Sequence, residues 1–198
     1  MFVTGLVLAA GGSRRLGRPK LLLPFRGRTL LDATLDRARA CGFDQMLVVL
    51  GGAAEDVRAT VDLRDAEVVE NQDFGDGCST SIARSLERVD DRSDGVVMLL
   101  GDQPETSPAT VRALVTAAER GAVAVCRYED GRGHPFWFGR DAFAELRQMH
   151  GDKAVWKVLE SGSLPVTEVD AEGTIPLDVD TWDDYETLLV RDRARIEA

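Results

Sequence analysis

Cysteine and histidine are scarce: three cysteines, Cys41, Cys78 and Cys126, lie far apart without a CxxC pair, and only two histidines accompany them. This supply excludes a disulfide framework and a zinc site of ordinary ligand spacing, and leaves reduced, mostly buried thiols as the expectation. Positive charge is also in deficit, with 24 lysines and arginines against 34 aspartates and glutamates and a net charge of −10. Binding to nucleic acid or to an anionic membrane depends on clustered cations, so neither is expected as a partner, although an acidic body can hold a local basic pocket. No window approaches the roughly 18 apolar residues of a membrane span. The opening MFVTGLVLAAGG lacks the positively charged region of a signal peptide, and a cytoplasmic location follows as the expectation.

What is present suits a packed α/β protein: 44% hydrophobic residues, 29% charged residues and 19 glycines. The length of 198 residues fits one domain spanning residues 1–198. Short apolar runs at 3–10, 45–50, 66–69, 95–100 and 122–126 read as strands. Between them, residues 29–41, 54–61, 77–88 and 107–120 read as helices, the first capped by Thr29 with Asp32 three residues on and closed by Gly42. This alternation implies right-handed crossovers, a mostly parallel sheet and helices on both faces: a Rossmann-like three-layer α/β/α architecture. The last third is less regular, with strands expected at 134–138, 166–169 and 175–179 and helices at 140–149, 153–161 and 182–196.

Ligands of such a sheet bind beyond the carboxyl ends of its strands, where the segment LVLAAGGSRRLGRPKLLLP, residues 6–24, emerges. Ala9, Ala10, Gly11, Gly12 and Ser13 are small enough for backbone N–H groups to approach an anion closely, while Arg15 and Lys20 supply charge. A triphosphate needs both properties. Two familiar phosphate loops do not fit: GxGxxG opening into a helix is missing, and although Gly12 and Gly17 have P-loop spacing, Arg18 occupies the lysine position and a proline follows. LLGDQPETS, residues 99–107, then sets Asp102 directly after the most apolar strand. A carboxylate there is costly to bury unless paired or metal-bound, and Mg2+ commonly uses one or two carboxylates plus substrate phosphates. Further along, PLDVDTWDDYETL, residues 176–188, offers Asp178 and Asp180 on one face, with Thr181 and Asp184 spaced as a capping box for the last helix.

The first loop resembles the LAAGxSxRMGxxKxLLP signature of the MobA-like nucleotidyltransferases of the molybdenum-cofactor branch, with Leu16 in place of methionine. Pro19-Lys20-Leu21-Leu22 and GDQP are most similar to the cytidylyltransferase branch, whereas guanylyltransferase relatives carry a DKGL-like continuation. The resemblance runs from Leu6 to about Tyr185. DVDTWDDY is similar to the family's D-[VI]-D-T-P-E-D-Y segment, with Trp182 replacing proline, and that match makes Asp180 the second metal candidate beside Asp102. NQDFGDGCSTSIARSL resembles N-x5-G-M-x-x-S-L with Cys78 for methionine. There Asn71, Gly77 and Ser79 either hydrogen-bond the base or ribose at a helix N-terminus or form an Asx turn and cap. GRGHPFWFGR is similar to a GHPV-like element. Its loop histidine, His134, titrates near neutrality and either contacts the acceptor phosphate or orders the loop; Gln103 is the other acceptor residue. Gly151-Asp152-Lys153 resembles the start of a GDKGAR stretch and lacks its arginine.

The resemblance implies transfer of a nucleotidyl group in which a molybdopterin-type acceptor carrying molybdenum attacks the α-phosphorus of CTP. Arg15 would hold the β- and γ-phosphates, Lys20 would stabilise charge on the α-phosphate, and Asp102 and Asp180 would hold Mg2+. A molybdenum hydroxylase is the implied recipient of the finished cofactor. The alternatives are use of GTP, another phosphorylated acceptor such as a sugar 1-phosphate, and, more distantly, a non-catalytic protein that inserts the finished cofactor.

Overall fold

The computed structural model describes every residue except Arg14, Glu119, Arg120 and Ala198. The first half of the chain comprises β1 (Val3–Ala9), β2 (Pro24–Phe25), β3 (Arg28–Thr29), α1 (Leu30–Arg39), β4 (Gln45–Leu50), α2 (Ala54–Thr60), β5 (Glu67–Glu70) and α3 (Cys78–Leu86). The second half comprises β6 (Gly95–Leu100), α4 (Pro108–Ala117), β7 (Val123–Tyr128), β8 (Gly131–Gly139), α5 (Phe143–Gln148), α6 (Ala154–Ser161), β9 (Val166–Asp170) and α7 (Trp182–Glu197). Seven strands form one sheet in the order β5-β4-β1-β6-β8-β7-β9. All its pairings are parallel except those of β8, which runs antiparallel to both β6 and β7.

The strands are apolar throughout because both faces of the sheet are covered. In β4, Met46, Val48 and Leu50 enter one core and Leu47 and Val49 the other; β6 divides in the same way, Val97 and Leu99 against Val96 and Met98. Leu31, Leu35, Val111 and Leu114 bring α1 and α4 onto the first face, while Ile82, Leu86, Leu146 and Val158 bring α3, α5 and α6 onto the second. The α1 capping box forms as its spacing implies: Thr29 accepts from the Asp32 N–H at 3.0 Å, and the Asp32 carboxylate accepts from the Thr29 N–H at 3.3 Å.

Two expectations require correction, and one element adds to them. The segment 175–179 is not a strand, because its polar groups pair with loops: the Ile175 N–H donates to Asp130 Oδ1 at 2.9 Å, and the Pro176 carbonyl accepts from Gln103 Nε2 at 2.9 Å. The strand expected at 134–138 begins earlier, at Gly131, and turns back antiparallel. The β2–β3 hairpin was not foreseen; Arg26 (φ 50°) and Gly27 (φ 73°) form its two-residue turn, with the left-handed pair that a type I′ turn needs. The last two residues of the helix expected at 107–120 lie outside the described residues.

Two features of this topology position the site. The chain leaves β1 toward β4 and leaves the neighbouring β6 toward β7, in opposite directions along the sheet, so a crevice opens at the carboxyl ends of this central pair. The hairpin and the last helix are joined by a third core that includes Leu16, Phe25, Leu30, Val179 and Leu188. The Arg26–Asp192 ion pair and a 2.5 Å hydrogen bond from the Tyr185 hydroxyl to the Pro24 carbonyl hold α7 to the hairpin. That docking swings the segment before α7 back over the crevice.

Candidate active site

The first loop is shaped by its own backbone. Ser13 takes a left-handed conformation (φ 48°), as does Gly17 (φ 67°), and the Ser13 hydroxyl accepts from the Lys20 N–H at 3.0 Å. Leu16 is buried in the third core. The loop therefore doubles back, and a short 3-10 turn at Lys20–Leu22 directs the Lys20 side chain under the loop. Gly51 permits the close approach of the neighbouring segment: a Cβ there would lie 2.5 Å from the Ala10 carbonyl oxygen and 2.9 Å from Phe74.

Four charged side chains from three distant segments meet beneath this loop. Lys20 Nζ donates to Asp102 Oδ2 at 2.5 Å and to Asp180 Oδ1 at 2.8 Å, and Arg15 Nη2 donates to Asp180 Oδ2 at 2.8 Å. The inner pair is shielded, with 13% of the Lys20 side chain and 9% of that of Asp102 exposed, whereas Arg15 is open to solvent. Burial opposes the charge on Lys20, but the Asp102 and Asp180 carboxylates outweigh it and hold the ammonium above the ordinary lysine value. For Asp180, burial pushes upward and is outweighed by Lys20 and Arg15, which keep its carboxyl below the usual range. The Thr181–Asp184 capping box holds this segment at the head of α7: the Asp184 carboxylate accepts from the Thr181 N–H at 2.7 Å, and the Thr181 hydroxyl from the Asp184 N–H at 3.2 Å.

A cavity of about 490 Å3 opens above this cluster, lined by Ala9, Ala10, Gly11, Gly12, Ser13, Arg15, Lys20, Gly77, Asp102 and Asp180 among the expected residues. Asp178 also lines it. Burial, then the neighbouring Asp102 and Asp180 charges, push its carboxyl up to about 6 against the opposing Gln103 hydrogen bond and Lys20 charge.

Four expected site residues lie off the cavity wall. Asn71 is buried, with Nδ2 donating to Thr80 and Ser81 hydroxyls at 2.9 Å each and Oδ1 accepting from the Asp73 N–H at 3.0 Å, so it closes the loop before α3. Ser79 is buried and accepts from the Gly151 N–H at 2.9 Å. Gln103 is buried behind the site, donating to Asp178 Oδ1 at 2.6 Å and to the Pro176 carbonyl at 2.9 Å. His134 packs on Phe136 with ring centroids 4.2 Å apart. Burial pushes its imidazole down to about 3, so the expectation that it titrates near neutrality is corrected: it is neutral at physiological pH.

Phe74 and Asp152 are among the wall residues that the sequence does not assign to the site. Phe74 packs on Gly51 and Gly52. Asp152 Oδ1 accepts from the Cys78 N–H at 3.2 Å at the head of α3. The acidic residue was visible within Gly151-Asp152-Lys153, but no spacing signal links it to a helix start more than seventy residues earlier.

The chemistry of the donor set bears on a metal. Among the described residues, no three His, Cys, Asp or Glu side chains gather closely enough to hold one by themselves. Asp102 and Asp180, however, converge on a single cation, the Lys20 ammonium. Two carboxylates meeting at one positive centre fit Mg2+, a hard ion that takes its remaining oxygens from water and phosphate.

The MobA-like NTP transferase domain profile matches residues 5–167. The chain belongs to this family. Among curated relatives, the purine catabolism protein PucB of Bacillus subtilis is 30% identical over 93% of this chain and 95% of its own length. Nicotine blue oxidoreductase of Paenarthrobacter nicotinovorans is 34% identical over 67% of this chain and 69% of its own. Among solved structures, Rv0371c of Mycobacterium tuberculosis superposes with a TM-score of 0.91 at 53% identity, covering 94% of this chain and 96% of that one. Another structure of Rv0371c, described as a complex with manganese, has a TM-score of 0.87 at 50% identity, covering 96% and 98% of the two chains. The fold is thus an α/β nucleotidyltransferase fold, and the family is one of nucleotidyltransferases related to molybdenum-cofactor enzymes. No helix among the described residues is long and apolar enough to cross a membrane.

Proposed function

We propose that the protein is a Mg2+-dependent nucleotidyltransferase that moves CMP from CTP to the phosphate of molybdopterin in its molybdenum-loaded form, acting in molybdenum-cofactor biosynthesis. The observation that carries this reading is the convergence of Lys20 and Arg15 with Asp102 and Asp180 under a glycine-rich loop. An oxygen of the acceptor phosphate attacks the α-phosphorus of CTP, the α–β phosphoanhydride bond breaks, and pyrophosphate leaves with the released charge. Such a reaction needs positioning and charge neutralisation more than covalent catalysis.

Backbone N–H groups of Gly11, Gly12 and Ser13 cradle the phosphates. Arg15, exposed at the cavity mouth, holds the β- and γ-phosphates, and Lys20 stabilises charge growing at the α-phosphate. Asp102 and Asp180 are the residues that would hold Mg2+, which when bound would supply charge neutralisation for the phosphates. The manganese complex of a relative at 50% identity supports a divalent ion in this family. Cytidine is supported by Pro19-Lys20-Leu21-Leu22 and GDQP, and the molybdopterin acceptor by the same family resemblance. A molybdenum hydroxylase is the recipient proposed for the product.

The test is pyrophosphate release from each of CTP, GTP, ATP and UTP with Mg2+ and molybdenum-loaded molybdopterin, with sugar 1-phosphates as alternative acceptors. Turnover with CTP and the pterin is expected. Turnover with GTP, or only with a sugar phosphate, replaces the donor or the acceptor. Pterin handover without pyrophosphate release identifies a carrier instead of an enzyme, and reduction of a substrate without nucleotide consumption points to the chemistry in the name of the oxidoreductase relative.

A further inference from the structure

Lys20 already stands at the point where the two carboxylates meet. Its ammonium is a compact charge with three donors, and two of these are used by Asp102 at 2.5 Å and Asp180 at 2.8 Å. Arg15 occupies the other oxygen of Asp180, so the pair is neutralised entirely by side chains of the first loop. A divalent cation cannot join Lys20 there, since two positive centres a few ångströms apart in a shielded site repel strongly. Nor can Lys20 reach a phosphate with its full set of donors while it serves both carboxylates. Its stem passes under the glycine loop, where a Cβ on Gly11 would lie 3.9 Å from Lys20 Cε, so a modest swing of the ammonium moves it from the carboxylates to the loop that faces the ligand.

We propose that Lys20 is an internal occupant of the metal position: its ammonium and the divalent cation compete for Asp102 and Asp180, and metal entry hands Lys20 over to the nucleotide phosphates. The inference rests on the reading that this carboxylate pair binds a divalent ion. Metal and nucleotide then bind cooperatively, because the nucleotide draws away the lysine that blocks the metal, and by linkage the metal strengthens nucleotide binding by the same factor. In the absence of both, the site is locked in a self-neutralised state.

The chain has only three lysines, Lys20, Lys153 and Lys157, and Lys20 alone lines the cavity, so its state can be followed individually. Mn2+ binding to the full chain is measured by electron paramagnetic resonance of the free ion, without nucleotide, in the wild type and in Lys20→Met. The variant is expected to bind Mn2+ about tenfold more tightly, within the range typical of coupled sites, and Lys20→Met/Asp180→Asn is expected to lose that gain. In the wild type, trace acetylation with acetic anhydride read by mass spectrometry should find Lys20 protected relative to Lys153 and Lys157, and more reactive once Mn2+ saturates the protein. The acetylation measurement decides the matter if Lys20→Met does not fold. Equal Mn2+ affinity in wild type and variant, or Lys20 labelling unmoved by saturating Mn2+, overturns the competition while leaving the metal site standing. No Mn2+ binding in either protein, with or without CTP, overturns the metal reading itself and the competition with it.

Discussion

Lys20 and Asp102, separated by 82 positions in the chain, stand 2.5 Å apart with their side chains largely withdrawn from solvent. The contact joins the loop after β1 to the loop after β6, the two strands that lie side by side in parallel at the middle of the sheet. Parallel pairing brings both carboxyl ends to the same edge, and this is what turns two distant motifs into one site. Asp102→Asn keeps the size of the side chain and removes its charge. It is expected to lower nucleotidyl transfer by about 10²-fold or more, as for loss of a preorganised transition-state contact, with an unchanged circular-dichroism spectrum showing that the fold is retained.

Gly51 is expected to admit no side chain. A Cβ there meets the Ala10 carbonyl oxygen at 2.5 Å, and neither backbone can yield without moving the phosphate loop. Gly51→Ala should cost about 1–3 kcal/mol, as overpacking does, measured by urea denaturation. It should also weaken nucleotide binding more than Gly27→Ala, whose added Cβ has nothing within 4 Å and whose cost is confined to the strained hairpin turn.

The strands and caps of this fold were the most legible part of the sequence. Residues 45–50 and 95–100 are strands with the expected bounds, because both faces of a parallel sheet are buried and leave a continuous apolar run. Thr29 with Asp32 and Thr181 with Asp184 cap their helices as their spacing implies, because a capping box is a local contact. The direction of β8 was not legible, since alternation of side chains says nothing of whether a strand runs up or down. Residues 175–179 resemble a strand because they are apolar, but Ile175 packs on Gly133 of β8 and Val179 enters the third core, contacts that need no ladder. In the cavity, Gly11, Asp102 and Asp180 were visible because each lies just past a strand or at the head of a helix, and Lys20 because it adds positive charge to the small-residue loop after β1. Phe74 and Asp152 carry no signal that assigns them to it, because tertiary packing alone brings them to the wall.

Gln103 is expected to act through the segment it holds rather than by touching the ligand. It is 1% exposed, and its amide braces Pro176 and Asp178 just ahead of Asp180. Gln103→Leu leaves the buried Pro176 carbonyl without its donor, at about 1–3 kcal/mol. Thermal melting should register this loss. Metal affinity should fall with it, and Thr181→Ala, which costs about 1 kcal/mol through loss of a cap, should weaken metal binding in the same direction.

His134 gives a pH dependence of definite sign. Burial holds its imidazole near 3, against 6.5 for an ordinary histidine, so between these values the unfolded chain binds a proton that the folded chain does not. The stability it confers is complete above about pH 6.5 and is lost as pH falls toward 3. His134→Gln, which cannot take up that proton, should show a shallower loss of unfolding free energy from pH 6.5 to 5 than the wild type, measured by urea denaturation at each pH. Equal slopes would show that the imidazole is free to protonate in the folded state.

The most direct test of the central claim is a crystal structure of the protein soaked with CTP and Mn2+, whose anomalous signal locates the ion. The triphosphate is expected against the Gly11–Ser13 backbone with Arg15 and Lys20 on its oxygens, and the manganese between Asp102 and Asp180. A nucleotide bound elsewhere, for example in the second cavity of about 410 Å3 beside Glu105, Tyr128 and Arg195, or an ion touching neither carboxylate, would contradict it.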